Sequence, residues 1–295
     1  MDRRCFLWAG GCVLAGVTSL AAAKDIAFAH VSELTLAVKA AEKASGGRLG
    51  VAVIDTGTGA RFSHRGAERF AMCSTFKLPL VTAVLCKVDA GEENLERRVA
   101  VIQADILGNS AFSTSRAGST ASLAELANAT ITISDNTAAN LLLPVVGGPA
   151  GLTRFMRRIG DYVTRSDRYE PIMSTAHPDD QRDTTSPDAM AASVQKIVLG
   201  DVLKPASRAL LEGWLRAAET GAKRLRAGLP ADWQEADKTG TGYHGTSNDV
   251  AVLWPPGKPP LVVASYLTGS KLDDAATQAI HARVGKAVAK AFLRP

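Results

Sequence analysis

The chain is poor in cysteine and carries no recognisable metal-binding pattern. Of its four cysteines, Cys5 and Cys12 lie in an N-terminal segment that we expect to be removed, so only Cys73 and Cys86 remain. On one helix these two would stand about 20 Å apart, whereas a disulfide needs Cα atoms within about 7 Å. We therefore predict two free thiols. The five histidines show no ligand spacing and no cysteine pair suits zinc, so we predict no metal and no cofactor.

The sequence also has no run of like charges, no low-complexity segment and no internal repeat. Its 34 basic and 29 acidic residues give a formal net charge of +5 at pH 7. The basic residues are scattered, without aromatic residues between them, which is typical of solvated faces and predicts no nucleic-acid partner. The length suits one large domain or two closely packed domains, and we expect a monomer.

Residues 1–23 are typical of an export signal peptide. Arg3 and Arg4 precede an apolar stretch at 5–20, and small residues follow at 21–23. The apolar stretch is short for a transmembrane helix. We therefore predict cleavage near residue 24, a periplasmic or secreted location, and no stable membrane insertion after cleavage. The paired arginines are compatible with a twin-arginine signal and equally with an ordinary Sec signal.

Apolar periodicity predicts strands near both ends of the chain and helices in the middle. Strands are predicted on either side of the turn at 56–59, and at 232–241, 248–254 and 260–268. Helices are predicted at 30–45, 74–90, 120–128, 135–146, 149–159, 187–199, 207–217 and 273–293. This order predicts an α+β fold: an α/β sandwich part with an antiparallel sheet built from both termini, at 24–67 and 218–295, and an all-helical part at 68–217. The active site is expected in the cleft between these parts.

A lysine stands in apolar surroundings near the start of the helical part. The stretch 76–86 is apolar almost all round, which predicts a buried helix, and no acid lies within one helical turn of Lys77. Ser74 precedes Lys77 by one turn, in an S-x-x-K pattern. A serine hydroxyl is a weak nucleophile until a base takes its proton, and a desolvated lysine can be neutral enough to do so. A second match, Ser193–Lys196, lies on the polar side of a helix, where we expect water to satisfy both groups.

Two further tripeptides match catalytic patterns in combination with this one. The segment 134–136 (Ser-Asp-Asn) opens a helix and by itself indicates only an N-cap. The segment 238–240 (Lys-Thr-Gly) lies on a strand and by itself indicates a strand edge. All three motifs in this order make coincidence improbable, and the combination resembles the serine β-lactamase and penicillin-binding family.

The polar, Pro-containing stretch at 165–185 indicates which branch of that family applies. A structureless stretch of this length inside a compact domain is usually functional or disordered. It resembles the omega loop of class A β-lactamases, and this resemblance implies a cis Glu170–Pro171 bond and a pair between Arg168 and Asp183. The matching positions are Arg165, Asp167, Arg168, Glu170, Pro171, Arg182, Asp183, Thr184 and Thr185. The resemblance covers essentially the whole chain after the signal.

The resemblance implies hydrolysis of the β-lactam ring of penicillins and cephalosporins, and so antibiotic resistance. Ser74 would attack the carbonyl, and the backbone N–H groups of Ser74 and Thr241 would form the oxyanion hole. Ser134 would pass a proton to the departing nitrogen, and Glu170 would position the water that cleaves the acyl-enzyme. Whether Lys77 or Glu170 is the base for acylation stays open.

Further residues are implied to hold the substrate or to shape the site. Lys77 and Lys238 would set the local field, and Asn136 would hold the side-chain amide of the substrate. The substrate-binding residues are Asn136, Ser174, Arg224, Thr239, Gly240 and Thr241, and the structural residues of the loop are Arg168, Pro171 and Asp183. No metal and no macromolecular partner are implied.

Several positions depart from the family pattern. Ser174 stands where the family usually has asparagine, and Asn109 replaces an aromatic residue that commonly walls the cleft. Ser247 occupies a position that often carries arginine, and Arg224 matches an alternative position for that guanidinium. The alternative for Arg224 is a solvated arginine in a basic stretch with Lys223 and Arg226, and replacing Arg226 with alanine is expected to have almost no effect.

Another departure concerns a cross-link. In some carbapenem-hydrolysing members the cysteine before the nucleophile bonds to one just after the Lys-Thr-Gly motif. Cys73 is present here, but Gly242 occupies the partner position, so weak carbapenem hydrolysis is expected.

Two alternatives remain open from the sequence. A penicillin-binding protein or penicillin sensor shares the three motifs and forms the same acyl-enzyme, but releases it slowly. Glu170 in its loop argues against this alternative. A solute-binding or scaffold protein would leave Lys77 as an unexplained buried charge. Turnover of a chromogenic cephalosporin separates the three: steady hydrolysis, a single burst, or nothing.

Overall fold

A computed structural model describes residues 30–293, and the predicted export signal lies outside them. The strands are β1 (Arg48–Asp55), β2 (Arg61–His64), β3 (Phe70–Ala71), β4 (Arg98–Val101), β5 (Ser119–Ser122), β6 (Thr184–Thr185), β7 (Gln234–Gly242), β8 (Thr246–Trp254) and β9 (Leu261–Thr268). The α-helices are α1 (Val31–Ser45), α2 (Lys77–Asp89), α3 (Ala111–Ser115), α4 (Leu123–Thr132), α5 (Asn136–Leu142), α6 (Gly148–Arg158), α7 (Pro187–Val194), α8 (Pro205–Arg216) and α9 (Asp274–Leu293). Within this part of the chain, no helix is both long and apolar enough to cross a membrane.

The main sheet joins the two ends of the chain. Its five strands are antiparallel and follow the order β2-β1-β9-β8-β7. The first and last long strands pair over their whole length, from Arg48 with Thr268 to Asp55 with Leu261. The predicted α+β class with a sheet built from both termini is confirmed. The exact division at 67/68 and 217/218 stays a prediction.

The sheet is covered on both faces, and alternate residues of β1 separate the two cores. Val51 and Val53 face a cluster formed with α1 and α9, whereas Ala52 and Ile54 face the larger cluster formed with the helical part. Successive side chains of a strand point to opposite faces. Burial on both faces explains why β1 is an almost continuous apolar run.

The helix predicted at 120–128 begins later than the sequence suggested. Residues 119–122 form β5, which pairs with β4, and the helix α4 starts at Leu123. Ser122 caps this helix by accepting a hydrogen bond from the backbone N–H of Glu125, whose carboxylate accepts one from the Ser122 N–H. This capping box sets the start of α4.

The second S-x-x-K match was predicted to have both groups in water, and this holds for the exposed Lys196 but not for Ser193. Ser193 is buried, and its hydroxyl donates a hydrogen bond of 2.9 Å to Asp161 Oδ2. Lys196 Nζ donates to the carbonyl oxygen of Ile159 at 2.6 Å. The segment after α6 covers this face of α7, which the periodicity of α7 alone could not show.

Candidate active site

Ser74 lies in a single 3₁₀ turn, Cys73–Phe76, that leads directly into α2. Cys73 has a φ of +44°, which turns the chain sharply before the serine. Ser74 is half-buried, and its hydroxyl lies within 3.4 Å of Glu170 Oε1, to which it can donate. The candidate nucleophile therefore faces the carboxylate of the 165–185 loop.

Lys77, the first residue of α2, is fully buried at 0% exposure. Its ammonium donates to the Ser134 carbonyl oxygen at 2.6 Å and to Asn136 Oδ1 at 2.6 Å. Burial lowers the pKa of Lys77 to about 8, and the negative charges of Glu170 and Asp135 oppose that shift. The sequence predicted Ser74, Asn136 and Glu170 around this lysine; its hydrogen bonds go to Asn136 and, unforeseen, to Ser134.

Ser134 connects the two buried lysines. Its Oγ lies 3.2 Å from Lys77 Nζ and 3.1 Å from Lys238 Nζ. The residue has a φ of +60°, which directs its side chain into the space between α2 and β7. Burial lowers the pKa of Lys238 well below its usual value, and the nearby charge of Lys77 lowers it further. Two hydrogen-bond donors thus converge on one hydroxyl.

Glu170 is held by backbone contacts and paired with Ser174. The Asn140 side chain donates to the Glu170 carbonyl oxygen at 2.8 Å and accepts from the Glu170 N–H at 3.0 Å. The Ser174 hydroxyl donates to Glu170 Oε2 at 2.8 Å, while Oε1 faces Ser74. Asn140 was missed by the sequence analysis, although it stands four residues after Asn136 and therefore on the same face of α5.

The neck of the 165–185 loop matches the predicted geometry. The Glu170–Pro171 peptide bond is cis. Arg168 Nε lies 2.6 Å from Asp183 Oδ2, and Asp183 Oδ1 accepts hydrogen bonds from the backbone N–H groups of Asp167 and Arg168. The fully buried Asp183 carboxylate therefore ties the two ends of the loop together.

Arg224 is almost completely buried, at 5% exposure, beside β7. Its NH1 group donates to the carbonyl oxygens of Gly240 and Asn248, and its NH2 group donates to Thr241 Oγ1 at 2.6 Å. Burial lowers the pKa of Arg224, an effect opposed by the charge of Asp249. The guanidinium both supports the strand and lines the same cavity as Ser74.

Arg226, whose replacement was expected to have almost no effect, makes two close contacts with acidic side chains. It pairs with Glu235 Oε2 at 2.9 Å and with Asp237 Oδ1 at 2.6 Å, and both carboxylates are buried. Burial and the charge of Asp237 raise the pKa of Glu235 to about 8. Arg226 thus contacts two buried carboxyl groups, which the basic stretch around it concealed.

Small residues let β7 approach the turn that carries Ser74. A Cβ atom added at Gly240 would lie 2.7 Å from the Met72 carbonyl oxygen. One added at Gly242 would lie 2.6 Å from Cys73 Sγ, so this position faces the cysteine as the family pattern implies. Cys73 and Cys86 are both free thiols, as predicted, and burial raises the pKa of Cys73 to about 12.

Most of the predicted site residues line one cavity of about 550 Å³ between the sheet and the helical part, while Lys77 and Lys238 lie buried behind Ser134. They are joined there by Thr220, Tyr243 and Gln278, which the sequence did not indicate. Asn109 also lines the cavity, and its side chain donates to the Ser134 carbonyl oxygen at 2.9 Å, the atom that Lys77 also contacts. Among residues 30–293, no group of three or more possible metal ligands is found.

Comparisons with known proteins agree with this arrangement. A model of the β-lactamase enzyme family matches residues 33–292. Beta-lactamase OXY-2 of Klebsiella oxytoca is 43% identical over 90% of this chain and 92% of its own length. Beta-lactamase L2 of Stenotrophomonas maltophilia is 44% identical over 92% of this chain and 89% of its own length.

Solved structures show the same fold. The class A β-lactamase of the last common ancestor of Gram-negative bacteria superposes with a TM-score of 0.87 at 57% identity, covering 88% of this chain and 99% of its own. A β-lactamase from Xanthomonas campestris pv. campestris gives a TM-score of 0.86 at 46% identity, covering 88% of this chain and 97% of its own.

Proposed function

Because the chain belongs to the class A serine β-lactamases, a branch of the β-lactamase enzyme family, we propose that it hydrolyses the β-lactam ring of penicillins and cephalosporins through an acyl-enzyme on Ser74. This activity confers resistance to those antibiotics. The observation that carries the proposal is the placement of Glu170 between Ser74 and Ser174. A carboxylate held there suits a protein that cleaves its acyl-enzyme.

Acylation begins with transfer of the Ser74 hydroxyl proton. Ser74 faces Glu170 directly, whereas Lys77 Nζ has three oxygen acceptors, which match the three N–H donors of an ammonium. With a pKa of about 8, only about a tenth of Lys77 is neutral at pH 7. Glu170 is therefore the proposed base for acylation in the parent protein, with Lys77 stabilising the developing negative charge.

The tetrahedral oxyanion lies against backbone N–H groups. The strand β7 runs beside the turn of Ser74, so the N–H groups of Ser74 and Thr241 are proposed to bind this oxygen. As the ring nitrogen leaves, Ser134 gives it a proton. Lys77 and Lys238, both within 3.2 Å of Ser134 Oγ, supply the electrostatic setting for that transfer.

Deacylation needs a water molecule and a base on the other side of the ester. Glu170 Oε1 is directed at Ser74, and Ser174 fixes the second carboxylate oxygen. The serine hydroxyl donates here, which orients the carboxylate and leaves Oε1 free to accept a proton from water. Asn140 holds the backbone of Glu170, so the base is positioned from both ends.

The substrate is held by groups on both walls of the cavity. Arg224, Thr239 and Thr241 are proposed to bind the carboxylate beside the fused ring, and Asn136 is proposed to bind the side-chain amide. Tyr243, which is 70% exposed, also lines the cavity and offers an aromatic surface to the substrate.

The predicted export also belongs to this proposal. A β-lactamase acts on antibiotics before they reach their targets, so a periplasmic or secreted location, reached through the signal at 1–23, fits the activity. We propose that the protein works as a monomer, since all proposed site residues come from one chain.

Turnover of a chromogenic cephalosporin by the purified protein tests the proposal. We expect steady hydrolysis beyond one equivalent of enzyme. A single stoichiometric burst would instead identify a penicillin sensor or penicillin-binding protein, and no reaction would exclude both.

A further inference from the structure

Two exposed histidines meet where the 165–185 loop touches the turn between β7 and β8. His177 lies in the loop and His244 lies in the turn, and their ring centroids are 5.5 Å apart with an interplanar angle of 72°. Both rings line a cavity of about 590 Å³ that is separate from the candidate active site. They are 67 residues apart in sequence, so no ligand spacing could reveal the pair.

We propose that His177 and His244 together bind a divalent transition-metal ion such as Zn²⁺, with water completing the coordination. Two imidazoles that share a tetrahedral zinc ion place their ring centroids about 5 Å apart, given a Zn–N distance of about 2 Å. The observed centroid separation of 5.5 Å is close to this value, and because both rings are exposed they can rotate to direct a nitrogen at a shared ion.

The state of His177 also suits a metal ligand. Its Nδ1 lies 2.7 Å from the Pro178 carbonyl oxygen, which places the proton on Nδ1 and leaves Nε2 with a lone pair. Metal-bound histidines commonly donate their other ring N–H to a backbone carbonyl in this way. Imidazole nitrogen is a preferred ligand of Zn²⁺, Cu²⁺ and Ni²⁺.

The charged residues that line this cavity carry both signs, so a bound cation would not face only positive charge. Arg48 and Arg69 line the same cavity, but Arg48 is paired with Glu68, and Arg69 donates to the Val163 carbonyl oxygen. Asp179 and Asp180 also line the cavity and contribute negative charge; Asp180 is shared between Arg168 and Arg182. No group of three or more possible ligands is found in the described part of the chain, so only the two histidines are proposed as protein ligands.

A bound ion would connect the loop that carries Glu170 to the turn beside Thr241. The two segments already share one hydrogen bond, from the Tyr243 N–H to the Ser174 carbonyl oxygen at 3.2 Å. The metal would add a second connection a few residues away, and would therefore stabilise the folded loop. The site and its test do not depend on β-lactam hydrolysis, because no substrate is used.

Isothermal titration of the untagged protein with Zn²⁺, alongside thermal unfolding, tests the proposal. We expect one ion per chain, and a rise of roughly 5 °C or more in Tm at a hundredfold excess over Kd. His177→Phe and His244→Phe should each weaken binding at least tenfold and abolish the rise in Tm. Because phenylalanine keeps the ring contact but cannot bind a metal, these variants should unfold like the parent when Zn²⁺ is absent.

His64→Gln is the matched control. His64 does not belong to the pair of His177 and His244, and it contacts Glu42 instead. It should bind Zn²⁺ with the affinity of the parent. Unchanged affinity in either phenylalanine variant, equal loss in His64→Gln, or no binding at millimolar Zn²⁺ would each overturn the proposal.

Discussion

Replacing Arg224 with alanine should separate substrate binding from support of the strand. The guanidinium has five N–H donors. Two contacts go to the carbonyl oxygens of Gly240 and Asn248 and one goes to Thr241 Oγ1, and Nε has no partner within residues 30–293. One NH2 donor is therefore left for a ligand in the cavity that Arg224 lines.

The expected size of the effect follows from these contacts. A hydrogen bond to a charged group contributes about 1.5–3 kcal/mol, so kcat/KM for a substrate with a free carboxylate should fall roughly 10- to 150-fold in Arg224→Ala. The same change removes two hydrogen bonds to carbonyl oxygens of the β7–β8 ladder, so the free energy of unfolding should also fall, by about 0.5–1.5 kcal/mol for each bond lost. Arg224→Lys keeps the charge without the planar fork and should lie between parent and alanine variant.

A pair of substrates isolates the first effect from the second. The assay compares a chromogenic cephalosporin with its carboxylate ester in parent and variant. We expect a large loss with the acid and a small one with the ester. Lys223→Ala, which removes an exposed positive charge from the neighbouring residue, should leave both nearly unchanged. Equal losses with acid and ester would refute carboxylate binding and leave Arg224 with only its role in β7.

Ser74→Ala should form no covalent adduct with penicillin, whereas Glu170→Ala should accumulate a penicilloyl-enzyme visible by intact mass. Loss of the Glu170 carboxylate further lowers the pKa of Lys77, which can then act as the base for acylation. Penicillin turnover at the parental rate by Glu170→Ala would contradict this. The Glu235 carboxyl keeps its proton in the folded protein up to about pH 8 but loses it in the unfolded chain near pH 4.5. The free energy of unfolding, measured by chemical denaturation, should therefore fall as the pH rises from 4.5 to 8. Glu235→Gln should make this fall smaller. Hydrolysis of imipenem by the parent should be weak; efficient turnover would show that the family cross-link is dispensable. Gly242→Cys should form a disulfide with Cys73, detected as a fall from three free thiols to one, that of Cys86, and as a loss of two mass units; three persisting thiols under oxidising conditions would show that the local approach is misaligned.

The chemistry of the site was predictable because its signals are local. Ser74 and Lys77 are one helical turn apart, Asp135 caps α5, and the Lys-Thr-Gly segment lies on β7, so each motif depends on its own few residues. The period of apolar residues likewise predicted the sheet and most helices. The short strands β4 and β5 were missed because their pairing joins segments about twenty residues apart and leaves little pattern in either.

Tertiary structure decided which polar groups meet once those segments pack. Arg226 was expected to be unimportant, but the fold places it against Glu235 and Asp237. A basic stretch by itself gives no sign of the buried acids on a later strand. Lys77 is kept inside by Ser134 and Asn136, about sixty residues away. The periodicity of apolar residues shows which face of a helix or strand is buried. It does not show the partner of a buried charge, which is determined by the surface that packs against that face. The free-energy cost of removing the charge from water must be offset by a specific nearby group.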